Sequence, residues 1–246
     1  MNVMNEVSVG VGPVSISDVI AVARGGARVS IAPESLDAMA RSRAVIESLA
    51  EDPQPHYGIS TGFGALATKH IPVEQRLQLQ RSLVRSHAAS SGPEVEGEVV
   101  RGTMLLRLST MATGRTGVRP EVAEAYAALL NAGITPVIGE YGSLGCSGDL
   151  APLAHCALAV MGEGTVRFGG ALLPAAEALE SAGLEPIVLR EKEGLALING
   201  TDGMLGMLSL AIGDLDALLD TADLAAAMSV EGLAGTDAVF AADLHA

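Results

Sequence analysis

Apolar positions along this chain recur mostly at three- and four-residue spacing, with little of the strict alternation that marks a strand, so most segments read as helix. Ser17 to Arg24, followed by Gly25-Gly26, reads as a short capped helix. Pro33 to Ala50 opens on Pro and Glu34 and stops before Asp52-Pro53. Pro72 to about Ser90, Val95 to Ala112, and Pro120 to Ala132 with Gly133 as its stop follow the same grammar. From Thr201 a long helix places Leu205, Leu208, Ile212, Leu215, Leu219 and Ala222 on one stripe, which predicts a bundle seam. Val166 to Leu172 reads as a hairpin turned at Gly169-Gly170. The fold class expected is mainly α, with one or two small β-hairpins.

The seam has few evident partners among the shorter helices before it, and the sequence ends at His245-Ala246 without a polar tail. The expectation is a chain that continues or associates. Its 49% apolar content and mean hydropathy of +0.38 point the same way, toward apolar surface destined for an interface.

Charge narrows the partners. Fifteen basic residues against 29 acidic ones leave a net charge of −14 and no Lys/Arg cluster, which argues against nucleic acid. The run from Gly203 to Val230 is interrupted by Asp214, Asp216, Asp220 and Asp223 and does not read as a membrane span. The first basic residue is Arg24, so no signal peptide is expected, and with two cysteines a disulfide framework is not expected and a reducing cytoplasm is. Cys146 and Cys156 have no metal spacing, and His56, His70, His155 and His245 share none, so no metal site is expected.

Four places carry candidate chemistry. The first is Gly142-Ser143-Leu144-Gly145-Cys146-Ser147-Gly148-Asp149, running into an apolar helix from Leu150. It is neither a nucleophile elbow, because Asp149 stands where glycine is needed, nor a P-loop. Its plain alternative is a turn whose Asp149 caps the following helix. The second is His56-Tyr57-Gly58-Ile59-Ser60-Thr61-Gly62-Phe63-Gly64, where Tyr57 either reaches a substrate or packs under its loop. Gly62 to Ala67 fits a dinucleotide fingerprint, but no acidic residue follows at the required distance, so no nucleotide is expected. The third is His87, on the face of its helix shared with Leu83 and Val84, as a ligand-binding group or a hydrogen-bonded core residue. The fourth is Asn199 in Leu197-Ile198-Asn199-Gly200-Thr201, functional or else an N-cap or turn residue.

Taken together and in this order, Tyr57–Gly64, Gln80–Ala89, Gly142–His155 and Lys192–Thr201 resemble the histidine ammonia-lyase family, within the aromatic amino-acid ammonia-lyases. Many members carry Ala-Ser-Gly where this chain has Cys146-Ser147-Gly148, a form that resembles an actinobacterial subgroup. The resemblance implies that these three residues condense. The Gly148 nitrogen attacks the Cys146 carbonyl carbon and two waters leave, giving 4-methylidene-imidazol-5-one (MIO), an electrophile that ordinary side chains cannot supply.

Carried over residue by residue, Tyr57 is the base near the β-carbon. His87 contacts the substrate imidazole, and Asn199 hydrogen-bonds near the MIO or the substrate amine. A phenol is a weak acid, so Tyr57 needs a charged or hydrogen-bonding neighbourhood to act near neutrality. The implied reaction is L-histidine to trans-urocanate and ammonia in a homotetramer whose sites are shared between subunits. Another aromatic lyase or aminomutase, or an inert N-terminal half acting only in helical assembly, are the alternatives. Members of the family run to about twice this length, their later segments supplying a carboxylate-binding Arg and further Tyr, Gln and Glu residues. The expected organisation is an MIO-bearing domain over residues 1–200 and the start of a central helical bundle over 201–246.

Overall fold

A computed structural model describes residues 6–144 and 148–244. The chain opens with β1 (Glu6–Val9), α1 (Ile16–Ala23), β2 (Arg28–Ile31) and α2 (Pro33–Glu51). Next come α3 (Val73–His87), β3 (Ser91–Glu94), α4 (Gly97–Ala112), α5 (Pro120–Ala132), β4 (Thr135–Pro136) and β5 (Gly139–Tyr141). It continues through α6 (Leu150–Val160), β6 (Thr165–Phe168), β7 (Ala171–Pro174), α7 (Ala175–Ala182), α8 (Glu193–Ile198) and α9 (Asp202–Gly232). The architecture is mainly α, as the pattern predicts, and none of the described helices is long and apolar enough to cross a membrane.

Local chemistry sets the helix ends. Ser15 and Asp18 form a reciprocal capping box at α1, and Pro33 and Pro120 occupy the first helical turn, where a missing N–H costs nothing. Gly133 closes α5 in the left-handed conformation, φ 72°. α3 ends at His87, three residues short of the expected stop, because the chain then extends into β3. The short α7 and α8 escape the helical reading, which asks for longer periodic runs.

Among the described residues, three small sheets accompany the helices. β6 and β7 form the expected hairpin, with Gly169 and Gly170 both at positive φ, and β4 adds a third antiparallel strand that the pattern does not show. β3 pairs antiparallel with β5. β1 and β2 pair in parallel, with α1 as the crossover, and the Asn131 side chain bonds both the amide and the carbonyl of Val29 at 2.7 and 2.8 Å. A parallel pair of four-residue strands leaves no turn signature in sequence.

The core is built around α4, whose Met104, Leu105, Leu108 and Met111 are wholly buried. α9 packs on α4 and α1, but not through the leucine seam that its sequence advertises. Its buried positions are Asp202, Gly203, Gly206 and Leu210. A Cβ on Gly206 would stand 3.2 Å from the Thr103 amide nitrogen, and one on Gly213 would stand 2.5 Å from Ile20 Cδ1. Small residues at three- and four-residue spacing let the helix backbones approach closely, so this face docks inward. Leu205, Leu208, Leu215 and Leu219 are 44–56% exposed on the other side. Arg24 links Glu98 of α4 and Asp214 of α9 at the rim of this contact.

Candidate active site

The glycine-rich segment leaves β5 at Gly142 and turns back on itself, with the Leu144 amide donating to the Gly148 carbonyl at 2.9 Å. Cys146 and Ser147, two of the three residues expected to condense, lie outside the described residues. Gly148 is buried and pairs with Gly200 in a parallel bridge, while the Asp149 amide donates to the Gly200 carbonyl at 3.3 Å. The first and fourth motifs, about fifty residues apart in sequence, therefore share backbone hydrogen bonds. α6 begins at Leu150, two residues beyond Gly148.

Asp149 does not cap its own helix. It occupies the N-cap position of α6, but its side chain makes no capping bond there. The wholly buried carboxylate instead accepts the Met204 amide at 3.0 Å and the Ser143 hydroxyl. Met204 is the third residue of α9, so Asp149 caps the first turn of a different helix.

Asn199 is exposed at the junction of α8 and α9, in extended conformation at φ −102°, and its own amide closes α8 on the Leu195 carbonyl. It is a turn residue rather than the N-cap of α9, a position taken by Thr201. Arg107 of α4 and Asp202 form a buried ion pair beneath this turn, and Arg107 also donates to the Ala196 carbonyl at 2.9 Å. Gly200 has no room for a side chain because Arg107 and Asp202 occupy the place of its Cβ.

Tyr57 is half exposed rather than packed under its loop. Phe63 meets its ring edge-on at a centroid distance of 5.9 Å, and the Gly64 amide donates to its hydroxyl at 3.3 Å. The Lys192 ammonium stands 5.9 Å from the ring centroid. Gly58 lies against Leu195 of α8, which seats the loop on that helix.

His87 is half-buried at the last residue of α3. Its Nδ1 lies 2.9 Å from the Leu83 carbonyl, so that nitrogen carries the proton and donates. Nε2 has no hydrogen-bond partner among the described residues. α3 is fastened to α8 through Gln80, whose Oε1 accepts the Gly194 amide at 2.9 Å. Just beyond His87, the Ser90 amide donates to His155 Nε2 on α6 at 3.4 Å, and burial pushes the His155 pKa below its ordinary value.

The turn before α8 is held by Glu193, which is wholly buried. Its carboxylate accepts the Arg190 amide at 2.7 Å and the Arg119 side chain at 2.8 and 2.9 Å. Arg43 adds a bond to the Glu191 carbonyl at 2.9 Å. This network fixes Lys192 at φ 73°, in the left-handed region.

No hydrogen bond links Tyr57, His87 and Asn199 to one another among the described residues. What they share is α8, which ends at Asn199, carries the Tyr57 loop and packs on the helix of His87. Arg107 and Asp202 escape the sequence reading, as do the partners of Asp149 and Glu193. The signal available was a charge inside an apolar run, as in Leu105-Leu106-Arg107-Leu108. Among the described residues, no group of three His, Cys, Asp or Glu side chains gathers as a metal set. Burial raises the Cys156 thiol to about 12, which keeps it protonated and unreactive.

Residues 14–246 match the aromatic amino acid lyase family. A histidine ammonia-lyase of Streptomyces avermitilis is 61% identical over 99% of this chain and 48% of its own length. Among solved structures, histidine ammonia-lyase from Trypanosoma cruzi superposes with TM-score 0.89 at 35% identity, over 98% of this chain and 46% of that one. Pantoea agglomerans phenylalanine aminomutase gives 0.88 at 32% identity, with 98% and 46% covered. The chain spans about half the length of the curated relatives it matches.

Proposed function

The chain belongs to the aromatic amino acid lyase family, and from that premise we propose that the full-length protein is a histidine ammonia-lyase, releasing ammonia from L-histidine to give trans-urocanate. The observation that carries this reading is the pairing of Gly148 with Gly200, which joins the glycine-rich turn to the Asn199 turn.

The described flanks fit an MIO formed from Cys146, Ser147 and Gly148. The 2.9 Å bond from the Leu144 amide to the Gly148 carbonyl brings the two flanks of this segment together, which supports attack of one backbone nitrogen on a nearby carbonyl. When formed, that group supplies an electrophile that turns the substrate amine into a leaving group. The chain's own residues do the rest. The Tyr57 oxygen takes the proton from the β-carbon. His87, its tautomer set by Leu83, offers Nε2 as acceptor to an imidazole N–H, which a phenyl ring lacks. Asn199, exposed beside Gly200, holds the amine. The exposed leucines of α9 suit burial against further helices of a homotetramer with sites shared between subunits. A cytoplasmic enzyme fits this reading.

The test uses the full-length protein. Urocanate absorbance should rise with L-histidine and cinnamate should not form from L-phenylalanine, and the intact mass should fall two waters below the encoded value. Ser147→Ala should retain the full mass and lose turnover. Cinnamate in place of urocanate overturns the substrate, and turnover by Ser147→Ala overturns the mechanism.

A further inference from the structure

We propose that Lys192 is a positioning residue for Tyr57, its ammonium held over the tyrosine ring so as to favour the phenolate that accepts the β-proton. This rests on the reading of Tyr57 as the base.

The geometry is specific. The ammonium lies 5.9 Å from the ring centroid, within the range where a cation and an aromatic face attract. Removing the phenol proton places negative charge on the oxygen and into the ring, which strengthens that attraction. The backbone of Lys192 is left-handed, a conformation that costs a side chain with a Cβ on the order of 1–3 kcal/mol. It persists because Glu193 and Arg119 determine the turn on both sides. A glycine or asparagine would satisfy such a turn more cheaply, so a lysine at this position points to use of its charge.

The charge is poorly compensated. Among the described residues, no ion pair or hydrogen bond engages the Lys192 ammonium, and burial lowers its pKa from the ordinary lysine value. The carboxylates near Tyr57 are taken. On its own loop Asp52 pairs with His56 at 2.9 Å. In the turn before α8, Glu193 is held by Arg119, and Glu191 lies 3.8 Å from Arg43. Arg76 of α3 donates to the carbonyls of Ile71 and Ala50. Lys69 and His70, on the return side of the loop, are exposed, and Arg190 is exposed beyond the turn. A phenolate at Tyr57 is thus the anion that the half-buried ammonium lacks. Lys192 neither gives nor takes the proton, which passes from the β-carbon to the Tyr57 oxygen.

The experiment compares the pH dependence of kcat/KM in full-length wild type, Lys192→Asn, Lys192→Gly and Lys192→Arg, at equal MIO content by intact mass. Asn and Gly tolerate the left-handed backbone and remove the charge. Both should move the acidic limb of the profile to higher pH by about one unit and lower kcat/KM at neutral pH about tenfold. Lys192→Arg should restore most of the wild-type profile. In a Tyr57→Phe background, Lys192→Asn should cost nothing further. An unmoved acidic limb in Lys192→Asn and Lys192→Gly, with Tyr57→Phe inactive, overturns the role of Lys192 and leaves Tyr57 as base. A moved limb without rescue by Lys192→Arg also overturns it. Unimpaired turnover by Tyr57→Phe overturns the base reading itself, and this inference with it.

Discussion

The carboxylate of Asp149 accepts the Met204 amide at 3.0 Å, so the residue that follows Gly148 caps the first turn of α9 and not the helix it precedes. The exit of the glycine-rich turn is thereby fixed to the helix on which the Asn199 turn ends. Asp149→Ala should remove the cap and the bond from the Ser143 hydroxyl. Full-length protein should lose about 1–3 kcal/mol of stability, read as a lower urea midpoint. Unchanged stability would show that α9 does not depend on this cap.

Gly200 tests the same junction from the other side. In Gly200→Ala the new methyl meets the Arg107 guanidinium and the Asp202 carboxylate, both buried and paired. The expected cost is about 2 kcal/mol or more, with displacement of the 199–202 turn and a lowered kcat. Denaturant unfolding and steady-state rates check both, and wild-type values for each would contradict the packing described.

His87 bears on substrate choice. Because Nδ1 donates to Leu83, only Nε2 is left to accept from an imidazole. His87→Leu should keep the helix and lower kcat/KM for histidine roughly 10–100-fold, the worth of one well-placed hydrogen bond. Turnover of phenylalanine should suffer less. Equal losses on both substrates would remove His87 from recognition.

His155 gives a pH signature. Burial depresses its folded-state pKa below the ordinary histidine value, and in that neutral form Nε2 accepts the Ser90 amide. Below about pH 6.5 the unfolded chain takes up a proton that the folded chain refuses, so stability falls as pH drops through that region. His155→Leu should flatten this part of the profile while costing stability at pH 7. Urea midpoints at pH 7 and pH 5.5 measure it, and an equal slope in the variant would assign the pH dependence to other groups.

Much of this was readable along the chain. Caps and stops are local chemistry, which is why α5 runs from Pro120 to Ala132 as its proline and glycine indicate, and why the Gly169-Gly170 hairpin turns where expected. The motif segments were legible for the same reason, each being a short stretch whose residue types are unusual together.

The inward face of α9 was not legible. A hydropathy stripe counts leucines and passes over glycine, yet Gly206 lets the α4 backbone approach and Gly203 and Gly213 leave room for Asp149 and Ile20, while Leu205, Leu208, Leu215 and Leu219 stay outside. The pairs Arg107–Asp202, Asp149–Met204 and Lys192–Tyr57 were equally hidden, since their members stand 95, 55 and 135 positions apart. Periodicity, capping and turn chemistry act within a few residues, and so the residue order alone specifies the longer helices, the Gly169-Gly170 hairpin and the reactive groups the chain carries. Which buried charges meet, and which face of a helix turns inward, depends on where distant segments pack and on the room between them.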